Sequence, residues 1–313
     1  MRFYSGIAFF CFYFVLLSGT CQLAPQFTQY FFDQLSFNPA VAGSEAGFSG
    51  SLLYRQQWVG FNGGPLTGAI NLHQPLNQLN SGIGLSIQSD QIGNFRTINV
   101  APCYAYKLQL GLKSLQFGFS PVFSSYAIQD NWQAVDDRNL DPSIPLGGKN
   151  GFGIDFNTGI YLKAGKYYGG ISVVNLITSK IKNVNQQLST TMFAQAGYQF
   201  KLPFSEVIDW TVGTLYRSPL SNLSTAQIDL SLTALIKENF GLGVNYRNGD
   251  SFSPIISYQK YTSSGKIKIG YAFDYTISEL TKANSGSHEI AVSYLYIPTK
   301  MVEKERYKNV RFL

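Results

Sequence analysis

Residue types that commonly carry catalysis or bind metal ions are scarce in this sequence. It contains two histidines, His73 and His288, and none of the HExxH, CxxC, GxSxG or glycine-rich phosphate-binding motifs. A hydrolase needs a nucleophile and a base within hydrogen-bond distance of each other. Ser287 and His288 are neighbours, but neighbours in a strand point to opposite faces, which argues against a catalytic pair. We therefore expect no catalytic residue, no cofactor and no metal ion.

Charged side chains do occur in predicted strands, on the less apolar of the two faces. In the predicted hairpin at 266–297, Ile267 and Ile269 alternate with Lys268 and Gly270, so one face is apolar and the other small or polar. A soluble sandwich would turn the polar face to bulk water, whereas an outer-membrane barrel would turn it to a lumen. The charged residues that we interpret as lining a lumen are Asp155, Asp229, Lys268, Asp274 and Glu289.

The same alternation predicts fourteen antiparallel strands, an even number that is typical of outer-membrane barrels. Most have the roughly 9–11 residues that a tilted strand needs to cross a bilayer. Connections at one predicted end are long and those at the other end are short, which is the outer-membrane pattern. The predicted strands lie near 46–58, 66–74, 80–90, 95–108, 112–124, 151–163, 167–178, 189–201, 207–217, 225–236, 239–248, 251–262, 264–276 and 285–297.

Composition supports an exported membrane protein. Charged residues make up 13 % of the chain and aromatic residues 15 %, and the net charge of +6 is not gathered in a long basic run, so we expect no nucleic-acid partner. Residues 1–21 resemble a signal peptide that is cut near Cys21; a membrane anchor or lipidation at Cys21 are the alternatives. After cleavage only Cys103 remains, which excludes an intrachain disulfide.

The fold class that we predict is all-β: a transmembrane outer-membrane barrel in contact with lipid, with an irregular N-terminal arm. The arm spans 22–45, the barrel 46–297 and a periplasmic tail 298–313. The arm either lines the lumen or is a disordered lead-in, and its aromatic residues favour the ordered form because exposing them to water is costly. The tail is either a docking peptide, with Arg311 and Phe312 as its anchors, or a frayed end.

Two predicted outer segments are candidates for binding a partner. The first is YRQQWVGFNGGP at 54–65; alternatively, it is an aromatic girdle and a turn, with Arg55 paired to an acid such as Asp155, Asp229 or Glu289. The second is the long loop at 126–150. The candidate residues in these two segments are Arg55, Gln57, Trp58, Phe61, Trp132, Asp136, Asp137 and Arg138.

These segments together resemble the PorP/SprF family of type IX secretion barrels. The matches include PQFTQYFFDQLSFNPAVAGS at 25–44, YRQQWVGFNGGP at 54–65, NLHQPL at 71–76, GYAFDYTISEL at 270–280 and NVRFL at the end. The sequence departs from the family pattern at Gly64, at Leu66 and in the loop 125–150. The resemblance implies a Bacteroidetes outer-membrane protein, without enzyme activity, that helps to secrete or anchor large surface adhesins, in some members for gliding motility.

The resemblance implies two kinds of partner: secreted cargo with a C-terminal secretion domain, and periplasmic type IX machinery. We expect the outer loops to bind cargo non-covalently through aromatic anchors and hydrogen bonds, and the tail or arm to contact the machinery. The alternative function is a passive transporter of small solutes, since a barrel of this size is wide enough for a narrow lumen. The sequence leaves the identity of the cargo open.

Overall fold

The computed structural model describes residues 25–129, 148–177, 188–203 and 205–297. The predicted signal peptide with Cys21, and the tail with Arg311 and Phe312, therefore lie outside the described residues. Within the described part, the fourteen strands are β1 (Phe48–Gln56), β2 (Leu66–Leu76), β3 (Ser81–Ile92), β4 (Phe95–Leu110), β5 (Lys113–Ile128), β6 (Lys149–Ala164), β7 (Tyr167–Val174), β8 (Thr191–Leu202), β9 (Ser205–Pro219), β10 (Gln227–Ile236), β11 (Phe240–Arg247), β12 (Ser251–Thr262), β13 (Gly265–Thr276) and β14 (Ser287–Tyr296).

The strands form one closed antiparallel barrel. Each strand pairs with the next along the chain, and β14 pairs with β1 to close the ring, from Phe48 opposite Tyr296 to Gln56 opposite His288. Closure leaves no sheet edge without a partner, which is the condition for placing strands in hydrocarbon. The predicted fold class and strand number are confirmed.

Two strand ends differ clearly from the prediction. β5 continues to Ile128 because it pairs along its whole length with both neighbours, ending opposite Phe95 of β4 and Lys149 of β6. β7 stops at Val174, before the predicted end at 178. Asn175 there has a φ of 58°, and its N–H donates to the side chain of Asn157 instead of a strand ladder.

The two faces of the wall differ in polarity as the alternation predicts. On β13, the side chains of Ile269 and Tyr275 point outward and are 47 % and 57 % exposed, whereas Ala272 and Asp274 point inward and are buried. The other strands except β8 carry exposed large aliphatic or aromatic residues too, and such a band would be costly in water but is stable in hydrocarbon.

The barrel has one end with long connections and one with short turns, called here the long-loop end and the short-turn end. β1 enters at the short-turn end and β14 leaves there. Several of these turns depend on left-handed backbone: in the connection after β10, Lys237 and Glu238 have φ values of 48° and 59°. In single-chain outer-membrane barrels, such short turns face the periplasm.

The arm, residues 25–47, runs inside the barrel from the long-loop end to the short-turn end. Its first residues lie near the start of β10, where Gln26 donates to Gln227. Further along, a short 3-10 turn at Pro39–Val41 packs against β4, β5 and β6, and the N–H of Gly43 donates to Nδ1 of His73. Among the described residues, no helix has the length and apolar character to cross a membrane.

Candidate functional site

A group of charged side chains lies inside the barrel toward the long-loop end, and we call it the ionic cluster: Arg55, Arg247, Asp229, Asp274 and Glu289. Arg55 is 1 % exposed, and its guanidinium lies 2.5 Å from Asp274 and 3.0 Å from Glu289. The pair with Glu289 follows from the register between β1 and β14, the two strands that close the barrel, because Arg55 lies directly opposite Glu289. Asp274 lies one strand further, on β13.

Of the three acids named as alternative partners for Arg55, Glu289 is the one that pairs with it. Asp229 pairs with Arg247, whose Nε is 2.8 Å from a carboxylate oxygen of Asp229. Asp155, which is 4 % exposed, instead accepts the backbone N–H groups of Phe156 and Ile177. Both carboxylates are on the lumen side, as predicted, but at positions around the barrel that Arg55 does not reach.

Arg247 is the functional residue that sequence reasoning missed. It is fully buried, pairs with Asp229, and lies 3.7 Å from Asp274 and 3.4 Å from Asp250. The alternation along β11 already placed Asn245 on the polar face, and continuing it by one step would have placed Arg247 there too. Buried charges of this kind are tolerated because each one has an opposite charge in contact.

The ionic cluster holds the first turn of the arm. Glu289 accepts the backbone N–H groups of Thr28 and Gln29, each at 2.7 Å, with one carboxylate oxygen for each donor. The Thr28 hydroxyl donates to Asp274 at 2.9 Å and accepts from Arg55 at 2.6 Å. Charged side chains of three strands, β1, β13 and β14, therefore converge on two arm residues.

Further contacts fix the remainder of the arm. The Tyr30 hydroxyl lies 2.8 Å from that of Ser231, and Asn38 donates to the carbonyl of Ile160 at 3.1 Å. Asp33 accepts hydrogen bonds from Ser51 and from the N–H of Leu35.

Five glycines of the wall face the arm at very close range. A Cβ added at any of them would overlap arm atoms, and these positions are Gly82, Gly118, Gly159, Gly170 and Gly270. At Gly118 the overlap is with the backbone of Pro39 and Ala40, which has no room to move. The lumen is therefore shaped to accept this arm.

The segment that follows β1 forms part of the rim at the long-loop end. Trp58 and Phe61 make an edge-to-face contact with ring centroids 6.4 Å apart, and Phe61 is 48 % exposed. The Trp58 N–H donates to Ser287, and the Val59 N–H to Gly286, so the segment is tied to the start of β14. Gln57 is half-buried beside them.

The remaining candidates are placed as follows. Arg55, the second-to-last residue of β1, is covered inside the barrel and pairs with Glu289, which is the alternative given for it above. Lys268 lies on the lumen side near the short-turn end. Four loop candidates lie outside the described residues: Trp132, Asp136, Asp137 and Arg138.

The two histidines lie on different faces of the wall. His73 points inward to the arm, whereas His288 points outward, where its Nδ1 is 2.7 Å from the hydroxyl of Tyr271. Within the part of the chain that the structure describes, no group of His, Cys, Asp or Glu side chains is arranged to hold a metal ion.

Within the described residues, the lumen holds a cavity toward each of its two ends. The outer cavity, at the long-loop end, has a volume of about 100 Å³ and a mixed lining: apolar residues such as Phe37, Phe193 and Leu215 alternate with polar ones such as Asp90 and Arg217. The second, which we call the vestibule, lies at the short-turn end, has a volume of about 280 Å³ and is lined mainly by polar and charged residues.

Comparison with solved structures returns outer-membrane barrels. The CymD monoaromatic hydrocarbon channel is 12 % identical, with a TM-score of 0.51, over 83 % of this chain and 91 % of that one. The toluene transporter TbuX of Ralstonia pickettii is 12 % identical, with a TM-score of 0.52, over 83 % of this chain and 92 % of that one. At such low identity the likeness shows the fold alone. No curated protein matches the chain.

The closed ring, its apolar outer band and these neighbours define the protein as an outer-membrane β-barrel. The family assignment comes from the sequence as a whole. The model of the family described as "Type IX secretion system membrane protein PorP/SprF" matches residues 20–294, and the chain belongs to that family. The resemblance and the location in the outer membrane are thus confirmed.

Proposed function

We propose that this type IX secretion barrel binds secreted proteins non-covalently at its long-loop end, and so helps to secrete large adhesins or to retain them on the cell surface. The observation that carries the proposal is the arm, which runs through the lumen and is fixed by buried charges at its first turn. Because its own arm occupies much of the interior, the described part of the barrel has no wide pore, and the surface at its long-loop end is the part that can bind a large partner.

The rim supplies contacts of the kind that anchor a partner. Trp58 and Phe61 form an aromatic pair on a segment that backbone hydrogen bonds hold to the start of β14. Aromatic side chains on a rigid support are the usual energetic centres of protein interfaces, because they bury a large area at little entropic cost. The loop candidates Trp132, Asp136, Asp137 and Arg138 belong to the same proposed surface.

Capture from solubilised outer membranes tests this proposal. The tagged barrel is purified in mild detergent, and we expect one large secreted protein to accompany it. Replacing Trp58 and Phe61 by alanine, or shortening the loop within 130–147, should reduce its recovery by roughly tenfold, the scale of a lost interface anchor. The matched control is Leu112→Ala at the short-turn end, where the side chain is 96 % exposed. Equal recovery with every variant would contradict the proposal.

Periplasmic type IX machinery is the second partner that we propose. β14 ends at Tyr296 on the short-turn end, so the tail that follows starts on the side where such machinery would lie. Arg311 and Phe312 are the proposed anchors within that tail. Truncation before Arg311 should remove periplasmic components from the purified complex and leave the secreted protein in it.

A second candidate function is the passage of small apolar solutes. The outer cavity supports it, since apolar side chains such as Phe37, Phe193 and Leu215 form part of the lining of a space of about 100 Å³ beside the arm. Two structural neighbours are a monoaromatic hydrocarbon channel and a toluene transporter. Planar-bilayer recordings and solute uptake by vesicles separate the two functions. Uptake of toluene by vesicles that contain the barrel would favour transport, whereas closed recordings and no uptake would favour the anchor.

A further inference from the structure

The vestibule at the short-turn end carries an excess of positive charge. Four lysines line it, and two carboxylates face them: Lys163, Lys166, Lys266, Lys268, Asp33 and Glu45. One of the lysines is neutralised locally, because Lys163 Nζ lies 3.3 Å from Glu45. Asp33 is occupied by the hydrogen bonds from Ser51 and Leu35.

Three lysines of the vestibule are therefore not paired with an acid among the residues that the structure describes: Lys166, Lys266 and Lys268. Lys268 is held in place by aromatic rings. Its Nζ lies 3.9 Å from the ring centroid of Phe32 and 5.3 Å from that of Phe31, both in the arm. The rings hold the Lys268 side chain without an acid, so no paired carboxylate competes with an anion in the cavity.

The rest of the lining suits a ligand that needs hydrogen bonds. Hydroxyl and amide side chains of Gln199, Thr211, Thr233 and Ser293 share the cavity with the lysines. Together they offer ammonium, hydroxyl and amide groups in a space of about 280 Å³ at an open end of the barrel. Lysines in a concave site raise the local concentration of anions and speed their arrival.

From this arrangement we propose that the vestibule binds an acidic peptide segment of a periplasmic partner. Bilayer lipid is disfavoured, because the cavity opens inside the closed ring of strands and a headgroup would have to leave the membrane to enter it. The chain's own tail is disfavoured by charge. Residues 298–313 contain five basic side chains and two acidic ones, and like charges repel in a confined site.

This inference concerns the short-turn end of the barrel. It does not depend on whether cargo binds at the rim, which is at the long-loop end. The experiment uses the full-length barrel in a non-ionic detergent and a rhodamine-labelled hexaglutamate peptide, with binding followed by fluorescence anisotropy. We expect saturable binding that weakens as salt is added, and no binding of a hexalysine peptide. Replacing Lys266 and Lys268 by glutamine should weaken the affinity by roughly tenfold or more.

The controls separate the site from general charge and from misfolding. The matched control carries Lys113→Gln and Lys260→Gln, which remove two exposed lysines near the same end that do not line the cavity. It should bind within about twofold of the parent, because exposed charges outside the site are screened. If the variant that lacks Lys266 and Lys268 fails to fold, a second double variant, Lys166→Gln with Lys266→Gln, tests the site. It keeps Lys268 in contact with Phe31 and Phe32.

Three results would overturn the inference. The first is no binding of hexaglutamate by the parent protein, and the second is equal binding by the parent and both vestibule variants. The third is better competition by inorganic phosphate or by short-chain phosphatidylglycerol than by unlabelled hexaglutamate, which would assign the site to another anion. Because the readout is peptide binding, failure of cargo capture at the rim would leave each of these results unchanged.

Discussion

At the scale of single residues, the Glu289 carboxylate accepts hydrogen bonds from both the arm and the wall. Its two oxygens accept the N–H groups of Thr28 and Gln29, and one of them also accepts from Arg55 at 3.0 Å. All of its neighbours in these contacts are donors. The side chain is fully buried, so water cannot replace a lost contact.

Glu289→Gln is expected to destabilise the folded barrel by roughly 3–5 kcal/mol, the usual cost of removing one partner from a buried ion pair. The amide group would place N–H donors against a backbone N–H or against Arg55, whichever way it turns. Urea unfolding in detergent micelles, followed by tryptophan fluorescence, measures the change. The variant should also release the start of the arm, which limited proteolysis detects as new cleavage near residue 28.

The control for this prediction is Glu45→Gln. Glu45 forms an ion pair with Lys163 at 3.3 Å, but both side chains are 42 % exposed. Exposed pairs contribute roughly 0–1 kcal/mol, so the free energy of unfolding should change little. If the two substitutions cost the same, the ionic cluster does not hold the arm in the way described here.

At the scale of elements, the arm and the wall are fitted to each other through glycines. The 3-10 turn at Pro39–Val41 lies against β5, and the contact is possible because residue 118 has no side chain. Asn38 caps this turn by accepting the N–H of Ala40, while its amide group donates to Ile160 on β6. The turn is thus placed by backbone and side-chain contacts at the same time.

Gly118→Ala should destabilise the protein by about 1–3 kcal/mol, the cost of forcing one extra methyl group into a packed interior. The added methyl would overlap the backbone of Pro39 and Ala40, so the turn would have to leave its place on β5. Differential scanning calorimetry in detergent measures the loss, and proteolysis of the arm reports where it arises.

Gly68→Ala is the matched control, since it adds the same methyl group to a strand. The nearest heavy atom to that methyl group is the carbonyl oxygen of Leu53 at 3.9 Å, an ordinary contact. Alanine is also slightly better than glycine within a strand. A loss of stability at Gly68 equal to that at Gly118 would show that β-strand context, rather than the arm, sets the cost.

The elements were largely predictable from the sequence, because alternation is a local property. Reading Ile267 and Ile269 against Lys268 and Gly270 requires only neighbouring residues, and it gave the strands, their faces and the lumen side of the charges. The lengths of the connections then gave the two ends. The C-terminal end of β7 depended on the positive φ of Asn175, which the alternation of side chains did not indicate.

The contacts within the lumen were much less predictable. Alternation assigns Asp229, Asp274 and Glu289 to one face but says nothing of their positions around the ring, so the partners of Arg55 were only partly predicted. The path of the arm depends on several strands far apart in the sequence. The sequence does give one signal for the glycines that contact the arm, since Gly118 stands between Phe117 and Phe119 on β5.

At the scale of the whole molecule, the barrel is stable because hydrocarbon surrounds it. Leu232 lies on the outer face of β10 between Val212 and Val244, and 40 % of it is exposed. Leu230 and Leu242 on the same surface are also exposed. In water this continuous apolar band would favour aggregation, whereas in a bilayer it contacts the hydrocarbon chains of the lipid.

Leu232→Arg is expected to cost about 2–4 kcal/mol, the penalty measured for a basic residue on the lipid face near the bilayer midplane. The guanidinium would lose its hydration without gaining a partner, since the outward neighbours on β9 and β11 are valines. Reversible folding into phospholipid vesicles measures the difference. Leu112→Arg adds the same charge at a turn where the side chain is 96 % exposed, and there the cost should fall to about 0–1 kcal/mol. Equal costs at the two sites would mean that Leu232 does not face hydrocarbon, and the membrane-spanning barrel would have to be abandoned.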